Sequence, residues 1–193
     1  MADIQRQRLY NAERRFTKWP QASALTQRIE AVPDIQKYVD DLVRRPEFRA
    51  RWTQTGITVH DGRRRRRAGG SIGNIWMPRW SRSVGVILHE VAHGLADTFG
   101  YAHGPEFCRT FVQLVEVVAD RHTAMLFEGC IVAHDCEVAA ERPPRVRVAA
   151  CQREKPLTLT REGVVYHTHP DRLPAHGPQW EKVHSRTNIC RFC

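Results

Sequence analysis

Residues 86–108 read "VILHEVAHGLADTFGYAHGPEFC" and set His89, His93 and His103 into an otherwise apolar, helical pattern. The HEVAH segment puts His89 and His93 one helical turn apart, so both imidazoles leave the same helix face. Val86, Ile87, Leu88, Val91 and Ala92 make that helix apolar enough to be buried, and Gly94 and Ala96 let a neighbouring backbone come close. Two histidines and a glutamate buried without partners would be costly. One shared metal ion removes the cost, whereas a plain core helix leaves it standing.

A catalytic zinc takes three protein ligands and keeps one position open. His103 is the expected third ligand, because "GYAHGPEF" should reverse the chain and Pro105 suits the first turn of a following helix. Glu116, Glu106 and Asp120 are its rivals. Glu90 lies beside the first ligand, where its carboxylate can take a proton from a water without binding the metal. Tyr101 and His122 are candidates for the donor that steadies an oxyanion.

The flanking segments read as a mixed domain. "QRQRLYNAERRFTKW" predicts a first helix. "VPDIQKYVDDLVRRPEF" predicts a second, with Asp34 as its cap, Ile35, Tyr38, Val39 and Leu42 as its apolar stripe, and Pro46 at its end. "GITVHDG" predicts a strand turning at Asp61-Gly62, and the portion from Ile72 to Met77 a second, paired as a hairpin across an arginine-rich connection. The helix opened by Pro105 should break near Asp120 and close at Gly129.

The run Arg63, Arg64, Arg65, Arg66 and Arg67, in a chain of net charge +9, is suited to anions such as DNA phosphates. Trp76 and Trp80 stand nearby as candidate stacking platforms, or as core residues. The apolar run "VGVIL" is too short to cross a bilayer, and the polar opening residues lack the centre of a signal peptide. A cytoplasmic protein with no membrane partner is expected, and its six cysteines are then thiols or ligands.

The HEVAH and HGPEF elements together resemble the SprT-like (Spartan-type) zinc metallopeptidases, whose third ligand is the histidine of an HGxxF element. The chain is similar, more closely, to a small metallohydrolase family of actinobacteria and their phages. Gln7, Tyr10, Ala12 and Glu13 match its "Q-x-x-Y-x-A-E" pattern, and "MPRWSRSVGVILHEVAHGL" and "FVQLVEVV" match its centre, over roughly residues 5–132. Ala96 and Phe99 stand where a metzincin has glycine and histidine.

The resemblance implies an α+β, zincin-like metallopeptidase domain over residues 1–132, with an active-site helix and a small β-sheet or hairpin. Residues 133–150 are the expected linker and 151–193 a zinc-ribbon-like tail. In that tail His167, His169, Cys190 and Cys193 are the candidate ligands of a second, structural zinc, with Cys151, His176 and His184 as rivals. The expected activity is zinc-dependent hydrolysis of peptide bonds, with Glu90 activating the water, on a protein substrate that includes DNA-bound protein. The alternative is a basic nucleic-acid-binding protein with a structural or inactive zinc site.

Overall fold

The computed structural model describes residue 3 and residues 5–96 and 102–141 in full, together with the backbone of 157–161 and 164–168. It is α+β. The described helices are α1 (Arg6–Phe16), α2 (Ser23–Thr26), α3 (Val32–Arg44), α4 (Pro46–Arg51), α5 (Val84–Leu95), α6 (Pro105–Val118) and α7 (Arg121–Val132). The strands are β1 (Thr58–Asp61), β2 (Gly69–Ser71), β3 (Asn74–Met77), β4 (Leu157–Arg161) and β5 (Val164–Thr168). The chain divides into two units, Met1–Arg145 and Val146–Cys193. Among the described residues no helix is long and apolar enough to cross a membrane.

Helix α5 is the centre of the first unit. Val84 and every residue from Ile87 to Ala92 are buried, and α2, β2, β3 and α6 all pack on it. Around it lie Leu9, Ala12 and Phe16 of α1, Ile35, Val39 and Leu42 of α3, Phe107, Phe111 and Leu114 of α6, and Phe127 and Ile131 of α7. In α1 and α3 these side chains recur every three or four residues, which puts them on one face of each helix. The apolar stripe expected for α3 is therefore present, although Tyr38 is only partly buried.

Several local expectations are corrected. Ala31 caps α3 with extended backbone, and Asp34 sits inside the first turn, where its charge complements the helix dipole. Pro46 does mark the end of α3, which stops at Arg44, and it also opens α4, a role its fixed φ suits. Helix α7 passes through Gly129 to Val132. The break before it is where expected: Asp120 accepts from the Thr123 amide at 2.7 Å and from the Thr123 hydroxyl at 2.9 Å.

The sheet departs most from the expected hairpin. Strand order is β1-β3-β2, with β1 parallel to β3 and β2 antiparallel to it. Residues 62–73 supply about the dozen residues that a parallel pairing needs. Asp61 does not close a turn back onto β3, because its carboxylate is held by Arg82 at 3.0 Å and by Arg63 at 2.9 Å. The chain instead leaves the sheet, carries the arginines outward and returns as the edge strand β2. The tight turn falls one strand later, at Ile72-Gly73, where Gly73 has φ 73°.

Residues 133–141, expected to begin a linker, pack within the first unit. Cys136 is buried, the Glu137 amide donates to the Gln5 side chain, and the Ala139 amide donates to the Pro105 carbonyl. Arg109 ties this segment down, donating to the Ala139 carbonyl at 2.6 Å while holding Glu128 through two contacts. In the second unit β4 and β5 form an antiparallel pair.

Strand β2 lies directly on α5. A Cβ on Gly70 would sit 2.0 Å from the Glu90 carbonyl oxygen, and one on Gly94 would sit 2.6 Å from the Ser71 carbonyl oxygen. Gly94→Ala should therefore push strand and helix apart and destabilise the fold by about 1–3 kcal/mol. Gly129→Ala, with nothing within 4 Å, should stabilise α7 by about 0.5–1 kcal/mol. Denaturant midpoints of the two variants should move in opposite directions, and equal midpoints would contradict the packing described.

Candidate metal centre

The centre is assembled from three places in the sequence. His89 and His93 come from the buried helix α5. His103 lies just before Gly104, the N-cap of α6. One ligand nitrogen from each ring lies within 4.8 Å of the other two, so the cluster can hold a metal ion. His103 thus joins the HEVAH pair, as its spacing suggested.

Its rivals lie elsewhere or are engaged. Glu116 accepts from Arg51 at 2.7 Å, and Asp120 caps α7. Glu106 opens the first turn of α6, outside the cluster.

Two carboxylates fix the imidazoles from behind. Glu13 lies 2.9 Å from Nδ1 of His89, and Asp3 lies 2.5 Å from Nδ1 of His103. A carboxylate acceptor facing Nδ1 favours the tautomer that carries its proton there. Each Nε2 is then left with its lone pair, and the two Nε2 atoms face each other at 3.2 Å. Neutral rings so placed repel, unless positive charge lies between them.

One proton could bridge that pair, but it would not serve the third ring. Burial disfavours charge on His89, yet Glu13, Glu90 and Asp3 together outweigh it and raise the ring's pKa. Burial lowers the pKa of His103, and the neighbouring His89 adds to the effect. For His93 burial, His89 and His103 all act together and bring it down to about 3. Among the described residues no hydrogen bond reaches the His93 ring. A single cation of higher charge satisfies all three nitrogens at once, which is the donor set of a metal centre.

Packing holds the rings at their angles. Phe107 touches all three, at ring-centroid distances of 5.0, 4.5 and 5.0 Å from His89, His93 and His103. Phe111 adds an edge contact to His89 at 5.5 Å. Glu90 is buried next to His89 on α5. Burial, helped by the charge on Glu13 and opposed by His89, pushes its carboxyl up to about 7.

The other candidate residues fall into three groups. The side chains of Arg63, Arg64, Arg65, Arg66 and Arg67 are exposed, but Arg63 pairs with Asp61 and Arg65 lies 4.5 Å over the Trp76 ring. Trp76 also stacks on His60 at 5.2 Å, so it is not a free platform, whereas Trp80 is 61% exposed. His122 sits in the exposed first turn of α7, separated from His103 by the whole of α6. Tyr101, His169, Cys190, Cys193, Cys151, His176, His184 and the His167 side chain lie outside the described residues.

Sequence reasoning missed that Asp3 and Glu13 orient two of the histidines and that the Tyr10 ring lies against the same two. Glu13 and Tyr10 had a signal: they stand three apart in the "Q-x-x-Y-x-A-E" pattern and so share a side of α1. Asp3 had none, being 100 residues from the histidine it orients. Comparison of the chain with protein-family models, with curated proteins and with solved structures finds no match in any of the three.

Removing either carboxylate should loosen the tautomer and orientation of its histidine. Asp3→Ala and Glu13→Ala are each expected to weaken metal binding by about 10- to 100-fold while the protein stays folded. Competition titration against a chromophoric chelator, with a thermal melt alongside, measures both. Unaltered affinity in both variants would remove the carboxylates from the centre.

Proposed function

We propose that the protein is a zinc-dependent hydrolase of the zincin type that cleaves peptide bonds. His89, His93 and His103 hold the ion and Glu90 is the general base. The observation that carries this reading is the 3.2 Å confrontation of two Nε2 atoms whose Nδ1 partners are carboxylates, with a buried glutamate alongside. Zinc fits that spacing: two nitrogens about 2.0–2.1 Å from one tetrahedral zinc lie about 3.3–3.4 Å apart. Three imidazoles without a cysteine are also the donor set of a catalytic zinc with an open position.

When bound, the ion supplies Lewis acidity, polarising a carbonyl and making a nearby water more acidic. The rest falls to the chain. Glu13 and Asp3 keep the ligand rings in register, and Phe107 and Phe111 give them an apolar floor. Glu90, drier than an ordinary carboxylate, takes the proton of the attacking water and returns it to the departing amine nitrogen.

A second reading, a basic nucleic-acid-binding protein whose zinc site is structural or inactive, draws on the exposed arginines and Trp80. Among the described residues Arg64, Arg66 and Arg67 make no ion pair, which leaves three guanidinium groups for phosphates. Replacing these three by serine should weaken binding to single-stranded DNA and flatten its salt dependence, read by fluorescence anisotropy. Identical curves would leave the run a solvated turn.

The hydrolase reading is tested at Glu90. Glu90→Gln preserves shape and removes the basic carboxylate. It should keep one bound zinc and the wild-type melting temperature while losing hydrolysis of unfolded protein substrates by at least about 100-fold. His89→Ala should lose both metal and activity. Equal cleavage by wild type and Glu90→Gln would sink the mechanism, and zinc binding without cleavage by either favours the second reading.

A further inference from the structure

Helix α1 brings one more side chain to the centre. The Tyr10 ring lies 5.6 Å from the His89 ring and 5.5 Å, edge-on, from the His103 ring. Unlike those buried rings it is 37% exposed, so it stands at the mouth of the centre and not beneath it. Its neighbour on the same side of α1, Glu13, is already committed to His89. Among the described residues the Tyr10 hydroxyl has no hydrogen-bond partner. A phenol is a donor at neutral pH, where it keeps its proton.

We infer that Tyr10 is a catalytic residue whose hydroxyl donates a hydrogen bond to the oxyanion that forms when a carbonyl is attacked at this centre. The inference rests on the hydrolase reading above. In the step concerned, the water oxygen bonds to the carbonyl carbon and its proton passes to Glu90. The carbonyl π pair moves onto oxygen, and Tyr10 stabilises that negative charge without giving up its proton. Collapse then breaks the carbon–nitrogen bond as Glu90 returns the proton to nitrogen.

Tyr10 stands against the same two imidazoles, His89 and His103, that Glu13 and Asp3 orient. Of the sequence candidates, His122 follows the far end of α6 from His103, and Tyr101 lies outside the described residues.

Tyr10→Phe keeps the ring that packs on His89 and His103 and deletes only the donor. The test uses the full chain loaded with cobalt, with methylphosphonate as a tetrahedral oxyanion probe read from the cobalt visible spectrum. The variant should bind metal and melt as wild type does, but hold methylphosphonate about 10- to 100-fold more weakly, as expected for a lost hydrogen bond to a charged oxygen. With a cleavable substrate, kcat should fall about 100-fold at little-changed KM.

Unchanged affinity for the probe, or wild-type protein that does not bind it, overturns the role of Tyr10. So does loss of metal in the variant, which would make the ring structural. If Tyr10→Phe cleaves normally while Glu90→Gln does not, Tyr10 fails and the hydrolase reading survives. If wild type cleaves nothing yet its probe binding depends on Tyr10, the hydrolase reading fails and the donor role stands.

Discussion

The confrontation of two imidazole nitrogens at 3.2 Å governs how the first unit is built. Lone pairs brought that close need positive charge between them, and the rings are buried where water cannot supply the screening. Holding them there takes Glu13 and Asp3 behind the rings and Phe107 beside them. None of these residues is adjacent in sequence to the ring it positions except by way of a helix turn. The polar centre thus brings the N-terminal segment and α6 together on the central helix.

Helix α1 does double duty in this arrangement. Leu9, Ala12 and Phe16 bury one face in the core, and Tyr10 and Glu13, on the adjoining side, meet the histidines. A helix seated by hydrophobic burial can hold a carboxylate within hydrogen-bond distance without losing much side-chain freedom at the moment a ligand arrives. The N-terminal segment depends on a different device. Gln5 donates to the His103 carbonyl and accepts from the Glu137 amide, so the residues that present Asp3 are tied both to the ligand and to the segment after α7. The segment after α7 therefore helps to hold the residues that support His103.

What could be read in the sequence was local chemistry with helical spacing. His89, Glu90 and His93 share one turn, and Pro105 sets the start of α6 just after His103, so the cluster was legible without coordinates. The stripe on α3 and the break at Asp120 follow from the same kind of periodicity and capping. Asp3 was not legible, because a contact spanning 100 residues leaves no trace in spacing. The parallel pairing of β1 with β3 was hidden for another reason. Asp61-Gly62 has the composition of a hairpin turn, but a long-range ion pair from Arg82, beside a local one from Arg63, holds the Asp61 carboxylate. Composition gives the propensity to turn, and tertiary charge decides whether the turn closes a hairpin.

The sheet also places the arginine run in physical relation to the centre. Its inner face, Val59, Ile75 and Met77, belongs to the core, while His60, Trp76 and Arg65 stack together on the other face. The run leads into β2, and Gly70 of β2 rests against the backbone of Glu90. From Arg67 to Gly70 is three residues, about 10 Å of extended chain. The charge of Arg67 is felt at the Tyr10 hydroxyl, which fits that short span. The arginine run is therefore joined to the helix of the histidine cluster by one short strand. On the reading proposed above, anion attraction and hydrolysis would be linked through one edge strand, because β2 follows the arginine run and rests on the helix that carries His89 and Glu90.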